Sequence, residues 1–245
     1  MKIILSPSKT QSTPSVDFND TNESLLNRDK TLRLFHGLKR LSKSKLAEIM
    51  DLDGKLLEKT HGLYQSFDPD TVKRIPAIRL YTGLVYDQLH LDEYDSAQWV
   101  YLNDHLRLLS AMYGLLHPMT LVWPYRLDYT MRLPKIKLKD LWAKEINQAL
   151  KDEDWIIDLS SQEFGSLLKP LSSKIHQVVF LEIINGQEKI ISANAKKARG
   201  KMADYLIRNK VTQHSELITF NQDGYRYLKD RSDEKRSVFV KETAS

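Results

Sequence analysis

No cysteine occurs anywhere in the 245 residues. Disulfides, thiol redox chemistry and cysteine-based metal sites are excluded, so any defence against an oxidant has to work without a thiol. Long apolar runs are missing too. The first one, Ile3-Ile4-Leu5, is far too short for a signal peptide or a membrane span, so the expected compartment is the cytoplasm, with no membrane partner. The seven histidines are scattered, with no zincin or facial-triad spacing, and no metal site or cofactor is expected. Direct iron sequestration would need an oxygen-rich site that this pattern does not advertise. Only nine glycines are present, none placed for a phosphate-cradling P-loop. There is no internal repeat and no low-complexity linker.

What is present suits one mixed α/β domain over residues 1–245. Hydrophobic residues make up 41% of the chain, enough for a real core. The formal charge is +5 and the pI about 9.1. That permits a nucleic-acid partner without demanding one. Placement is more informative. Between Lys169 and Lys210 stand nine Lys/Arg against three acids, Glu182, Glu188 and Asp204.

Short apolar runs at 2–5, 78–81, 155–159 and 178–184 read as buried strands. Asn185-Gly186 follows the last of them, before Lys189-Ile190-Ile191. That is a type I′ hairpin signal, so the sheet is mixed rather than purely parallel. Val238-Phe239-Val240 suits an added edge strand, and residues 11–22 read as a surface loop. Helical spacing joins Leu46, Ile49 and Met50, then Leu52, Leu56, Leu63 and Phe67. Trp99, Leu102, Leu106, Leu109 and Tyr113 mark a longer helix ending at Gly114 as a left-handed C-cap. Asp140 is the expected cap of a helix carrying Trp142, Ile146 and Leu150.

The segment NAKKARGKMADYLIRNK, residues 194–210, poses a question of charge. With Asn194 as N-cap, Lys196, Lys197 and Arg199 fall in or near the first turn, where the macrodipole disfavours cations. Ala195, Ala198, Met202, Tyr205 and Leu206 form the core face. The cations would flank it around an N-terminus whose free N–H groups attract anions. Gly200 leaves room for a ligand or a backbone. Two readings stand: a phosphate site, or a solvated basic face paired with acids elsewhere.

Further candidates follow the strands. Ser6-Pro7-Ser8-Lys9-Thr10 leaves the first, Tyr81-Thr82-Gly83 the second, and Asp158 to Glu163 the third. Parallel neighbours would bring Ser6, Lys9, Thr82, Asp158, Ser161 and Glu163 to one sheet edge. Asp158, Glu163 and Tyr81 are then the catalytic candidates, set against structural and capping roles. Arg107 and Arg126 lie near aromatics and either clamp phosphate or tie a loop to the core. Residues 42–67 read as helix, turn and helix. They form either a helix-hairpin-helix gripping phosphate through Lys45, Gly54 and Lys55, or an ordinary αα-hairpin.

Together these stretches resemble the YaaA family of bacterial peroxide-stress proteins. The match is carried by LSPSKT at 5–10, YTGL at 81–84 and HLRLLSAMYGLLHPMTLVWPYRLD at 105–128. It continues with IDLSSQEF at 157–164, NAKKARGKM at 194–202 and FNQDGY at 220–225. The resemblance implies a single cytoplasmic α/β domain that binds DNA, with a helix-hairpin-helix element near 42–67 and a basic cleft including Lys196, Lys197 and Arg199. It also implies protection against hydrogen peroxide, linked to iron-driven damage. The chain departs from the family pattern at Asp51 and Asp53 in the hairpin turn, at Gln162 and at Thr130. The expected function is DNA backbone binding, single- or double-stranded, with weak sequence specificity, in the peroxide response. Lys9, Arg107 and Arg126 are second-tier contacts. The alternative is a nucleotide- or base-processing hydrolase using the same pocket with Glu163 and Asp158.

Overall fold

The computed structural model describes residues 1–14 and 24–243. Positions 15–22 of the expected surface loop lie outside the described residues. β1 (Lys2–Leu5) is followed by α1 (Arg28–Lys39), α2 (Lys43–Met50) and α3 (Gly54–Gln65). Next come β2 (Ile75–Pro76), α4 (Ala77–Leu80), α5 (Ser96–His105), β3 (Leu106–Ser110), β4 (Gly114–Leu116) and β5 (Leu121–Val122). The chain continues with α6 (Leu138–Leu150), β6 (Ile156–Asp158), α7 (Gln162–Gly165), β7 (Ile175–Ile184) and β8 (Gln187–Lys189). It ends with α8 (Ser192–Arg208), α9 (His214–Leu217), β9 (Arg226–Tyr227) and β10 (Arg236–Thr243).

The main sheet runs β4-β3-β1-β6-β7-β10-β9, with β8 paired to β7. Its centre, β3-β1-β6-β7-β10, is parallel, and β4, β8 and β9 are antiparallel additions. The fold is therefore the mixed α/β sheet flanked by helices that the pattern predicts. Ile3, Ile4 and Leu5 have no solvent exposure. Strands buried on both faces read as continuous apolar runs for this reason. Each such side chain contributes roughly 1.5–3 kcal/mol relative to exposure. Asn185 and Gly186 both have positive φ, 52° and 74°, so the β7–β8 turn is built as expected.

Several local expectations are corrected. Residues 77–80 are helical; the strand pair nearby is β2 with β5. A four-residue apolar run carries no period, so buried helix and strand look alike in it. The long helix through Tyr113 does not exist. α5 stops at His105, and Leu106 starts β3 without a linker. All five residues of β3 are buried, so Leu106 and Leu109 fit helical spacing only by accident of composition. Gly114, at φ 77°, closes the β3–β4 hairpin rather than a helix. Its missing side chain admits Trp142, which would lie 2.7 Å from a Cβ there. Asp140 sits inside the first turn of α6, whose N-cap is Lys137. In α3 the buried face is Thr60 and Tyr64, while Leu56 is exposed. β10 is not an edge strand: β7 flanks it on one side and β9 on the other.

Among the described residues, no helix is long and apolar enough to cross a membrane.

Candidate functional site

β1 and β6 are neighbours whose onward connections diverge. The chain after β1 rejoins the sheet at β3, on one side; the chain after β6 rejoins at β7, on the other. Such a switch point opens a crevice at the carboxyl ends of the two strands, where open parallel sheets commonly bind ligands. Here a cavity of about 390 Å³ occupies it.

Its walls come from five segments. The Ser161 amide donates to Ser6 Oγ at 2.8 Å, tying the loop after β6 to the loop after β1. The Tyr86 hydroxyl donates to the Ser6 carbonyl at 2.8 Å, and the Thr82 amide to the Thr10 carbonyl at 3.1 Å. These bonds bring residues 82–86 against the β1 loop. The Tyr125 amide donates to Gln11 Oε1 at 3.0 Å. Beside it, the buried Tyr64 hydroxyl donates to the Arg126 carbonyl at 2.6 Å and accepts from the Arg126 amide at 3.0 Å. The second helix of the αα-hairpin thus holds the 125–128 segment in place. The fifth wall is α8. A Cβ on Gly200 would lie 2.1 Å from the Val85 carbonyl oxygen, so only glycine lets the helix press against that loop. The visitor expected at Gly200 is therefore backbone.

Four cations line the cavity: Lys9, Arg126, Lys196 and Arg199. They come from separate segments, except that Lys196 and Arg199 share one face of α8 at i, i+3 spacing. Burial pulls the Arg199 pKa below its ordinary value, partly offset by the charge of Asp158. Arg126 Nε is buried without a hydrogen-bond partner among the described residues. Two carboxylates, Asp128 and Glu163, line the same space. Asp128 is nearly buried and pairs with Lys9 Nζ at 2.9 Å. It also accepts from the Thr130 amide at 3.0 Å and from the Thr130 hydroxyl. Burial pushes the Asp128 pKa up, but the bonds from Lys9 and Thr130 outweigh it, and the net shift is downward. Glu163 moves the other way, raised first by burial and then by the charge of Asp128, with Lys9 opposing. Two acids in one cavity are driven apart in pKa, a pattern typical of sites where acids take different roles.

The remaining candidates sit elsewhere. Asp158 ends β6, accepts from the Ser160 amide at 2.8 Å and does not line the cavity. Burial raises its pKa, against the Ser160 bonds and the Arg199 charge. Tyr81 stands behind the wall: its hydroxyl lies 2.8 Å from that of Tyr125, which in turn is 2.8 Å from Ser110 Oγ. Burial raises the Tyr81 pKa well above its ordinary value. Arg107 is not a surface contact. It is 7% exposed, and its guanidinium donates to the Asn103 and Leu106 carbonyls at the end of α5. Lys197 is exposed and lies off the cavity lining.

The charge puzzle at α8 also changes. The helix starts at Ser192, with Ile191 as N-cap and no side-chain cap bond. Asn194 is already inside, its Nδ2 donating to the buried Glu182 at 2.7 Å. Lys196, Lys197 and Arg199 therefore lie beyond the first turn, where the dipole penalty has largely faded.

Residues 42–67 form α2, a short turn with Asp51 at φ 50°, and α3. Lys43 pairs with Glu58, and Lys45 with Glu48 at 2.7 Å. Gly54 has φ 47° and open space above it, and Lys55 is exposed.

Asp128 was not among the sequence candidates. Its signal was available: one acid in a segment, 121–131, that is otherwise almost wholly apolar and aromatic apart from Arg126 and Thr130.

The profile of the family described as peroxide stress protein YaaA matches residues 1–231. A UPF0246 protein of Fusobacterium nucleatum is 35% identical over 250 residues, covering 100% of both chains. A UPF0246 protein of Saccharophagus degradans is 34% identical over 256 residues, covering 98% of this chain and 99% of its own. The chain belongs to the YaaA peroxide stress protein family.

Proposed function

We propose that this family member acts in the peroxide response by binding DNA through its phosphates at the β1–β6 crevice, protecting it from iron-linked oxidative damage. The observation that supports this most is the gathering of Lys9, Arg126, Lys196 and Arg199 around one cavity at a topological switch point. Four cations and two carboxylates line it, and Arg199 is held partly out of water. A phosphate oxygen would restore what burial costs that guanidinium. Lys197, exposed on the same helix, adds an outer contact. Lys55 and Gly54 of the αα-hairpin form a weaker one, because Asp51 and Asp53 flank the turn. Contacts through phosphates carry no base readout, so sequence specificity is weak. With no cysteine, protection works through occupancy of DNA rather than through a thiol.

Fluorescence anisotropy with short single- and double-stranded DNA across a salt series tests the reading. Lys196→Gln/Lys197→Gln/Arg199→Gln should lower the salt slope by roughly 2–3 units. A folded wild type that fails to bind DNA at low salt would sink the proposal.

A further inference from the structure

A site that only grips DNA backbone has no use for carboxylates, which repel phosphate. This cavity holds two. Asp128 is 4% exposed, with its position fixed by Lys9 and Thr130, and Glu163 lines the same space. Carboxylates accept hydrogen bonds from N–H and O–H groups. Lys196 and Arg199, from α8, line it too. The lining also includes the apolar and aromatic side chains of Leu84, Tyr86, Tyr125 and Phe164. An occupant that satisfies all three kinds of lining has an anionic group, a flat weakly polar body and hydrogen-bond donors. The volume, about 390 Å³, falls in the range of single small-molecule sites and excludes a stacked duplex.

We propose that the cavity receives one nucleoside monophosphate unit, its phosphate on Lys196 and Arg199 and its base and sugar donors on Asp128 and Glu163. The unit is either a free nucleotide or a nucleotide turned out of a DNA strand, as enzymes that inspect bases require. The second source rests on the DNA reading above; the first does not. The opposite pKa directions of the two acids support unlike roles toward the occupant.

Calorimetric titration of the full chain with inorganic phosphate, deoxyribose 5-phosphate, dAMP and dCMP tests the pocket itself. The nucleotides should bind at least about tenfold more tightly than deoxyribose 5-phosphate, a gap of about 1.4 kcal/mol. Leu84 is exposed at the rim, so Leu84→Trp fills the mouth with little strain on the core and should erase that gap. Its melting temperature checks the fold independently. The fluorescence of 2-aminopurine within single strands and duplexes separates the two sources. A rise on binding duplex marks an unstacked, captured base, whereas nucleotide binding without that rise assigns the free nucleotide. Equal affinity for phosphate, sugar phosphate and nucleotide, with no 2-aminopurine change, would overturn the proposal even if DNA binds. Absence of DNA binding with nucleotide selectivity intact would overturn only the DNA reading.

Discussion

The αα-hairpin of α2 and α3 and the helix α8 each carry an interior glycine and a group of cations. What the two elements do with them is opposite. In the αα-hairpin two of the cations have acidic partners: Lys43 meets Glu58, and Lys45 meets Glu48. In α8, no ion pair reaches Lys196, Lys197 or Arg199 among the described residues, and two of the three face a cavity. Gly62 of α3 has nothing within 4 Å of its would-be side chain, whereas Gly200 of α8 meets the Val85 carbonyl oxygen at 2.1 Å. Counting lysines and glycines does not distinguish the helices; what surrounds each residue does.

The largest expected effect comes from Gly200. Gly200→Ala forces α8 off the 82–88 loop, at a cost of about 3 kcal/mol by comparison with overpacked cores. Urea unfolding should show a lowered midpoint at unchanged slope. Because Val85 and Arg199 both line the cavity, the variant should also weaken DNA binding. A neutral result would mean that α8 does not rest on that loop, and the built crevice would be lost with it.

The charge contrast is tested next. Lys43→Gln/Lys45→Gln/Lys55→Gln should change the salt slope of DNA binding by less than about one unit, because two of its cations are already paired. That is well below the change expected from the α8 variant. If the hairpin variant gave the larger loss, the hairpin would be the principal DNA contact and the crevice a separate site.

The sequence made some of this arrangement legible and hid the rest for physical reasons. β1 and β6 are strands buried on both faces, so their apolar runs stood out; β7 alternates buried with less buried positions but is still apolar over 178–184, and Asn185-Gly186 announced the hairpin. The loops after β1 and β6 could be expected to meet because parallel neighbours share an edge; Ser6, Lys9, Thr82, Ser161 and Glu163 do line one cavity. β3 was hidden because complete burial removes alternation, leaving Leu106 and Leu109 to mimic a helix. Arg107 looked available because sequence shows charge but not exposure. Asp128 was overlooked because its role depends on Lys9, 119 positions away, and on a loop anchored by Tyr64 of α3. No local pattern reports such a partnership. The start of α8 was misplaced because Asn194, a good N-cap by type, is engaged by Glu182 from β7.

The glycine contrast yields a smaller effect of opposite sign. Gly62 is exposed within α3 and has helical company only, so Gly62→Ala should stabilise the fold by about 0.5–1 kcal/mol. Thermal melting beside Gly200→Ala tests the pair. Matching signs would mean that helix propensity, rather than close approach, governs both sites.

The smallest effects lie in the two cavity carboxylates, and they should differ in sign. Asp128 titrates below its ordinary 3.8, so its ionised form favours the folded state. That contribution is complete above the unfolded-state value and disappears as pH falls through the folded one. Glu163 titrates above its ordinary 4.5, so ionising it works against the fold. The cost begins as pH rises through about 4.5 and is complete above the folded value. At pH 7, Asp128→Asn should therefore lower the melting temperature and Glu163→Gln should raise it. Lys9 is 63% exposed and Glu163 only half-buried, so solvent screening holds each effect to about 0.5 kcal/mol. Near pH 3 both differences should shrink toward zero. The double variant should not be additive, because part of the Glu163 cost is the Asp128 charge itself. Melting curves of the four proteins at pH 3 and 7 measure that coupling. Strict additivity would mean that the two acids do not share a field, and an occupant held between them would have to be sought with only one.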